Sequence, residues 1–323
     1  MGFFSKDPIF GSVRDESGDM KKELNNEDLV QAGQQIDMKA GRRAFIRSLG
    51  VGAAGTVALG AAGTGVSIAA DITQDADVLN FALNLEYLEA EFYLLASTGR
   101  GLPAGDTGTK TPQVTGGRKV NFSSSLIAAY AKEIAQDEQH HVEFLRSVLG
   151  TKAVARPKID LATSFTTAAR AAGLISNTQT FDAFANDTNF LLAAYIFEDV
   201  GVTAYHGAAP VLVNKTYLDA AAGILAVEAY HAGLIRTVLF AEGKSNETQL
   251  ISNLRQALGP VRSNFGTGKD SGVGTIAAPN VVLADSVSIA FERTTRDVLN
   301  IVYGAQNAGN GLFFPAGLNG VIK

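Results

Sequence analysis

The chain has 323 residues, of which 46% are hydrophobic and 18% charged, and it contains no cysteine and no tryptophan. This composition excludes a disordered chain, and the lack of cysteine excludes disulfides, thiolate metal sites, iron–sulfur clusters and cysteine nucleophiles. With a net charge of −5 the chain has no general basic surface, so we expect no nucleic-acid partner. Any imidazole site must draw on four histidines, His140, His141, His206 and His231.

Residues 1–70 differ from the rest and have the pattern of an export leader. A polar stretch is followed by Arg42 and Arg43, and then by an uncharged run over 48–70 that is rich in alanine and glycine. An arginine pair ahead of a weakly apolar run is typical of a twin-arginine signal. Six glycines make this run a poor membrane-spanning helix, which favours cleavage over an uncleaved anchor. We therefore predict export by the twin-arginine machinery to the periplasm or cell envelope, leaving 71–323 as the mature domain.

Helical periodicity predicts an all-α fold for the mature domain, and we find no convincing series of strands. The four long helices are predicted near 75–97, 123–149, 181–207 and 215–242. Shorter helical pieces are predicted near 161–172, 246–258 and 285–303. A Gly-rich loop is expected over 99–121. The pattern predicts a four-helix bundle over about 75–242, followed by a C-terminal extension, 243–323, that is partly helical and partly irregular.

Two of the long helices carry a Glu-x-x-His motif. Glu138 and His141 form the first pair, and Glu228 and His231 form the second. Residues three apart lie on one face of a helix, and this face is otherwise apolar in both helices. Ionisable groups that point into a core need partners or a metal ion, so the two pairs are candidate metal ligands.

The motifs belong to a longer internal repeat. The stretch EQHHVEFLRSVL at the first motif matches EAYHAGLIRTVL at the second. The preceding long helices match at one spacing, because Tyr93 follows Glu86 by seven residues and Tyr205 follows Glu198 by seven. Seven residues make two helical turns, so each tyrosine shares a face with its glutamate. The sequence therefore predicts two copies of a helix pair.

The first helix offers three carboxylates, and the repeat favours one of them. Glu86 matches Glu198, whereas the position that matches Glu89 is Gly201. We therefore predict Glu86 as the inward carboxylate, with Glu89 as the alternative because it shares the same face. Glu91 is expected to be solvated.

Together these residues form the ligand set of a dinuclear carboxylate site inside a four-helix bundle. Oxygen and imidazole ligands suit Fe or Mn, and the lack of cysteine argues against softer metals. Four carboxylates in one core would repel each other without metal, so we predict two bound Fe or Mn ions. The predicted ligands are Glu86, Glu138, His141, Glu198, Glu228 and His231.

Five stretches of the sequence carry a family resemblance. They are NLEYLEAEFY from Asn84, Asp137-Glu138-Gln139 with His141, GVTAY from Gly201, IVYG from Ile301 and FFP from Phe313. These stretches resemble the ferritin-like superfamily, which includes bacterioferritin, rubrerythrin and manganese catalase, and they are closer to the desiccation-related ferritin-like proteins. The resemblance covers nearly all of 71–323 and implies a ferritin-like bundle with metal ligation by the six residues named above.

Other residues near the motifs have simpler interpretations. His140 points about 100° away from His141 on the same helix, so it is expected at the surface or behind the ligands as a supporting residue. His206 belongs to no motif and is expected at the surface or at a helix end. Tyr93 and Tyr205 are predicted as core aromatics that could act as catalytic groups if they lie near the metals.

Two further pairs of charged residues accompany the ligand motifs. Asp137 and Asp199 each neighbour a proposed ligand and are candidates for orienting a histidine. Arg146 and Arg236 are expected in ion pairs at the surface or between helices.

The sequence leaves two functions open. The first is an exported di-iron or di-manganese protein with redox activity, either ferroxidase-like or peroxide-disproportionating, whose partners would be metal ions and peroxide or dioxygen. The second is a structural, desiccation-protective protein of the cell envelope with little or no catalysis. A homo-oligomer is compatible with either function.

Overall fold

The computed structural model describes residues 68–323, with side chains described from residue 74 onward. The predicted leader, 1–70, lies outside the described residues except for its last three, which begin the first helix. Within 68–323 the only strands are Gly274–Thr275 and Ala278–Pro279, an antiparallel pair. The predicted all-α fold is therefore confirmed. The helices are α1 Ile68–Thr98, α2 Ala104–Thr107, α3 Ser125–Leu149, α4 Ser164–Ala172, α5 Asp187–Ala208, α6 Lys215–Ala241, α7 Ser245–Leu258 and α8 Thr295–Tyr303.

The four long helices pack as two pairs, α1 with α3 and α5 with α6. The first pair is antiparallel. Glu86 lies against His141, whereas Asn80, nearer the start of α1, binds the backbone of Lys152 just beyond the end of α3. The chain between α3 and α5 is the long crossover that this type of bundle needs, and it contains α4.

The helices α1 and α5 form the centre of the bundle. Every residue from Val78 to Leu94 is buried, and so is every residue from Phe190 to Gly201 except Ile196. A helix that is buried on all sides is apolar on all sides, which is why these two helices lack a polar face. Carboxylates on α1 and α5 therefore project into the core whichever way they point.

The helix α6 is apolar and long enough, by length and composition, to cross a membrane. In the structure it is a bundle helix, and it carries Glu228, His231 and Arg236 buried against its neighbours. Charged side chains at the centre of a membrane span cost free energy unless they belong to a functional site. The buried charged side chains of α6 therefore favour its place as a bundle helix.

The two helix pairs exchange caps at their starts. The Asp187 carboxylate, in the first turn of α5, accepts a hydrogen bond of 2.8 Å from the backbone N–H of Ser124, the residue that caps α3. The Asp75 carboxylate, on α1, accepts one of 2.8 Å from Asn214, which caps α6. Each aspartate lies eleven residues before its pair's inward glutamate, so the internal repeat extends to these contacts. Each pair thus stabilises the first turn of the other.

Two helices begin more than five residues later than predicted, because side chains build turns ahead of them. The helix α5 begins six residues late, since Asn186 caps it and Asp182 accepts the backbone N–H of Phe184 in the preceding turn. The helix α8 begins ten residues late. Asp285 accepts backbone hydrogen bonds within its own loop, and Thr294 starts the helix with a capping box. The short helix α2 lies in the stretch predicted as a Gly-rich loop.

The C-terminal extension packs on the bundle. The Phe313 ring lies 5.2 Å from that of Phe165 and 5.0 Å from that of Phe197, centre to centre. The tail then reaches α1, where the side chain of Asn84 donates to and accepts from the backbone of Asn319. The extension and the bundle share one hydrophobic core.

A buried ion network fixes the start of the extension to the bundle. Arg255 on α7 donates to Asp199 on α5 at 2.7 Å and to Asp270 at 2.8 Å. Arg236 on α6 reaches the same Asp199 at 2.8 Å, and Arg293 reaches Asp270 at 2.7 Å. Each side chain is at most 3% exposed, so these charges depend on one another for solvation.

Candidate metal centre

The structure brings all six predicted ligands together at the centre of the bundle. They form two groups that share one carboxylate, and within each group the candidate ligand atoms lie within 4.8 Å of one another. All six residues are buried, and the two imidazole rings lie 6.3 Å apart. The first group is Glu86, Glu138, His141 and Glu228, and the second is Glu138, Glu198 and His231.

Glu138 lies between the two imidazoles. Its Oε2 atom is 3.5 Å from Nδ1 of His141, and its Oε1 atom is 3.0 Å from Nδ1 of His231. Oε2 of Glu86 lies 3.2 Å from the first imidazole nitrogen, and Oε2 of Glu198 lies 3.6 Å from the second. One oxygen of Glu138 therefore belongs to each group, an arrangement that suits a carboxylate bridging two cations.

Several polar atoms of the cluster are buried without a hydrogen-bond partner among the described residues. Buried polar atoms are nearly always satisfied, so a concentration of unsatisfied acceptors calls for an explanation. Carboxylate oxygens and imidazole nitrogens are ligand atoms that bind Fe and Mn, so the residues present fit a bound cation. The atoms are both carboxylate oxygens of Glu138 and of Glu228, Oε2 of Glu198 and Nδ1 of His231.

Electrostatics set the charge of the metal-free cluster. Burial opposes ionisation of Glu138, but the imidazoles of His141 and His231 outweigh it and hold the pKa of that carboxyl below its usual range. Burial also opposes protonation of the imidazoles, yet Glu86 and Glu138 raise the pKa of His141 to about 11. Glu198, with help from other carboxylates, raises the pKa of His231 to about 10. Without metal, one carboxylate thus lies between two imidazolium groups.

The other carboxyl groups of the cluster hold protons more firmly than usual. Burial raises the pKa of Glu86 to about 7 and that of Glu198 to about 8. Burial and the neighbouring carboxylates raise the pKa of Glu228 well above its usual value. A divalent cation would replace these protons, because it supplies the positive charge that the core otherwise lacks.

Two tyrosines connect the halves of the cluster. The Tyr93 hydroxyl, on α1, donates to Oε1 of Glu198 on α5. The Tyr205 hydroxyl, on α5, donates to Oε1 of Glu86 on α1. Burial and these carboxylates raise the pKa of both phenols well above the usual value, so they remain neutral donors. The predicted catalytic tyrosines therefore lie at the cluster and hydrogen-bond to its carboxylates.

Both carboxylates considered for the inward position on α1 point into the core. Glu89 is 5% exposed, and burial together with the charges of Glu138, Glu198 and Glu86 raises its pKa well above the usual value. It borders the cluster, whereas Glu86 is the one grouped with His141. Both glutamates therefore lie in the core, Glu86 within the first group of candidate ligands and Glu89 beside it.

The expectation for Glu91 was wrong. This residue is 1% exposed, forms an ion pair with Arg156 and accepts a hydrogen bond of 3.3 Å from the backbone N–H of Leu102. The prediction assumed a solvated face on α1, but the crossover and the loop after α1 cover that face.

Gly201 makes room for the cluster. A Cβ atom at this position would lie 2.1 Å from Oε2 of Glu228 and 3.6 Å from Oε1 of Glu89. Any side chain there would displace the Glu228 carboxylate. The glycine that breaks the repeat opposite Glu89 is therefore required by the packing of two carboxylates.

One of the two aspartates expected to orient a histidine does so. Asp137 lies 3.2 Å from Nε2 of His231, and because a carboxylate can only accept, Nε2–H is the donor and Nδ1 faces the cluster. Asp199 instead binds Arg236 and Arg255, so that expectation was wrong, whereas the predicted inter-helix ion pair of Arg236 is confirmed. Arg146 donates a hydrogen bond of 2.6 Å to the Tyr87 hydroxyl.

The remaining histidines lie outside the cluster, as expected. His140 is exposed. His206 is half-buried, with Nδ1 at 3.1 Å from the carbonyl oxygen of Phe291.

Sequence reasoning missed the supporting residues, although signals for some were present. Asp75 and Asp187 stand at equal distances before the paired glutamates, which the repeat could have identified. Arg255 and Asp270 belong to no repeat and no motif, so nothing local indicated that they pair in the core.

Comparison with known proteins shows the family to which this helical domain is related. Residues 74–241 match a family described as a ferritin-like domain. The chain is 35% identical over 243 residues to the desiccation-related protein PCC13-62 of Craterostigma plantagineum, covering 68% of this chain and 74% of that protein. It is 29% identical over 265 residues to the ferritin-like catalase Nec2 of Nesocodon mauritianus, covering 77% and 84% respectively. No solved structure gives a significant match.

Proposed function

We propose, from the premise that this chain belongs to the ferritin-like domain family, that its buried cluster holds two Fe or Mn ions for peroxide chemistry. The observation that carries the proposal is Glu138, whose two oxygens face the two imidazoles and lack hydrogen-bond partners among the described residues. A carboxylate in this position suits a bridge between two cations. The proposed ligands are Glu86, Glu138, His141, Glu198, Glu228 and His231.

The reaction that we propose is the disproportionation of hydrogen peroxide. One molecule of peroxide takes up two electrons and two protons to give two molecules of water, and another gives up two electrons and two protons to become dioxygen. When bound, the two ions would supply and accept these electrons. A relative with the name ferritin-like catalase supports this reaction over other oxygen chemistry.

The side chains of the protein would hold and orient the groups of this reaction. Tyr93 and Tyr205 donate their hydroxyl hydrogens to the carboxylates of Glu198 and Glu86 and thereby orient these two proposed ligands. Asp137 fixes the ring of His231 with Nδ1 directed at the cluster. The surrounding apolar core excludes water and strengthens each of these interactions.

The experiment measures the metal content of the purified protein and the dioxygen that it releases from hydrogen peroxide. H141A and H231A should each lose metal and turnover, because each removes an imidazole of one group. H206A is the matched control and should keep both, since His206 lies outside the cluster. Wild-type protein that carries metal but releases no dioxygen would exclude a catalase. Oxidation of Fe(II) by dioxygen in the same protein would then favour a ferroxidase.

Export is part of the proposal and has its own test. We propose that the twin-arginine machinery carries the folded protein to the periplasm or envelope, because Arg42 and Arg43 precede a weakly apolar run. Replacing both arginines by lysine should retain the protein in the cytoplasm. Replacing Lys21 and Lys22 by alanine is the control and should leave export unchanged. Equal export of both variants would exclude this route.

A structural, desiccation-protective role is the second candidate, and the relative that is 35% identical favours it by name. In that case the cluster would bind metal without turnover, and the fold would not depend on the metal. Survival of drying by cells that carry the H141A protein separates the two, because a structural role tolerates loss of catalysis as long as the fold persists.

A further inference from the structure

A small apolar cavity adjoins the carboxylate cluster. It lies between α1, α5 and α8, and the volume in which the centre of a water-sized sphere fits is about 20 Å³. Its wall includes Val200 from α5 and Val302 from α8, and every lining residue except Ile196 is buried. A water needs roughly 10–15 Å³ measured in this way, so the cavity accepts one molecule of two or three atoms.

The inner end of this cavity lies beside the cluster. Glu89 is the one ionisable residue among those that line it. Gly201 also lines it, and the carboxylates of Glu89 and Glu228 both approach the place where a Cβ of Gly201 would stand. The Glu89 carboxyl group and the backbone of Gly201 therefore lie on the side of the cavity that faces the cluster.

The outer end meets a second cavity of about 50 Å³. Both cavities are lined by Ile196, Ile301 and Phe313, so these three side chains form the wall between them. The outer cavity extends between α4 and α7 to Thr167 and Gly304, which are exposed.

The second cavity is apolar apart from Arg255 and Thr167. The Arg255 guanidinium is already bound by Asp199 and Asp270, so it offers little to a passing molecule. Water and hydrogen peroxide lose hydrogen bonds when they enter such space, whereas an apolar diatomic molecule loses none. The lining therefore selects for dioxygen over peroxide.

We propose that the two cavities form a path for dioxygen between the surface beside α4 and the carboxylate cluster at Glu89. The direction of transport rests on the proposed function: dioxygen leaves a catalase and enters a ferroxidase. The existence of the path does not rest on the proposed function, because it is argued from the largely apolar lining of the two cavities.

The test uses the full-length, metal-free protein under dioxygen pressure. Dioxygen is paramagnetic and speeds the NMR relaxation of methyl protons that it approaches. The methyl groups of Ile301 and Val302 should relax several-fold faster relative to those of Ile235 and Leu239, which are equally deep in the core but line neither cavity. Equal enhancement at both sets would overturn the proposal.

A blocked variant locates the path. I196W should fill the wall between the cavities and remove the enhancement at Val302, and I196F serves if the larger ring prevents folding. I322W is the matched control, because Ile322 is also half-buried but lines neither cavity. Unchanged enhancement at Val302 in folded I196W would overturn the path.

Peroxide turnover separates this proposal from the proposed function. Faster methyl relaxation in a protein that never consumes peroxide would support the path and exclude the catalase function. Peroxide turnover without faster methyl relaxation would support the catalase function and exclude the path.

Discussion

Tyr93 donates its hydroxyl hydrogen to Glu198 across the interface between α1 and α5, and thereby ties a carboxylate of one half of the cluster to the other half. Tyr205 makes the mirror contact to Glu86. The tyrosine of each copy of the internal repeat thus positions a candidate metal ligand of the other copy. Metal affinity should depend on these phenols even though neither belongs to the two groups of candidate ligands.

Y93F should weaken metal binding near neutral pH by about ten-fold, the equivalent of roughly 1.5 kcal/mol for a hydrogen bond to a charged group. The Tyr93 hydrogen bond lowers the pKa of the Glu198 carboxyl against the effect of burial. Its loss should raise that pKa and shift the pH midpoint of metal binding upward. A metal titration over a range of pH measures the shift. Y230F is the control, since Tyr230 is 76% exposed on α6.

G201A should reduce metal affinity because the new Cβ would lie 2.1 Å from Oε2 of Glu228. G233A, on α6, is the matched control, because nothing lies within 4 Å of the Cβ that it would add. That control should bind metal normally and gain about 0.5–1 kcal/mol in unfolding free energy from helix propensity. Equal metal affinity in the two variants would contradict the packing argument.

The stability of the metal-free protein should fall as pH rises from about 5 to about 9. Burial raises the pKa of Glu86 to about 7 and that of Glu198 to about 8, so the folded state keeps protons that the unfolded chain releases near its normal value of about 4.3. His141 and His231 act in the same direction, because their stabilising protonation is complete below about pH 6.5 and is lost at higher pH. Thermal unfolding over this range measures the slope. A flat or rising curve would show that the cluster is not protonated.

Metal binding at about pH 6 should release several protons, because each ligand must lose its proton to coordinate. The groups with raised pKa values are Glu86, Glu198, Glu228, His141 and His231. Calorimetric titration in buffers of different ionisation enthalpy counts these protons. In H206A the count should be unchanged. Binding without proton release would place the metal elsewhere.

R255L should destabilise the fold by about 3–5 kcal/mol, because it leaves Asp199 and Asp270 buried with less compensation. R118L is the control. Arg118 pairs with Asp182 at the surface, where both side chains are about half exposed, and an exposed pair contributes less than about 1 kcal/mol. Chemical denaturation measures both changes. Similar losses would mean that the buried network contributes no more than a surface pair.

The repeat made the centre of the fold predictable. Glu-x-x-His spacing and the match of Glu86 to Glu198 depend only on helical geometry, and the structure brings these residues together. The prediction of a solvated Glu91 failed because helical periodicity identifies a second face of the helix but not what covers that face. The partner, Arg156, lies 65 residues along the chain.

The ion network was beyond sequence reasoning for the same physical reason. Arg255 on α7 pairs with Asp199 on α5, 56 residues away in the chain. A surface arginine and a buried one look alike in sequence, because burial of the guanidinium depends on contacts with residues far away in the chain. Ligand motifs repeat at fixed spacing, whereas such partners do not.

The departures from symmetry around Glu138 make the two candidate cation positions unequal. The first group combines three carboxylates with His141, and the second combines two with His231. Only the second imidazole is held by an aspartate from outside its group, since Asp137 has Val227 as its counterpart in the repeat. A divalent ion is attracted more strongly by three negative charges than by two. Occupancy should therefore build in two steps, so that a preparation short of metal contains singly loaded molecules rather than a mixture of full and empty ones.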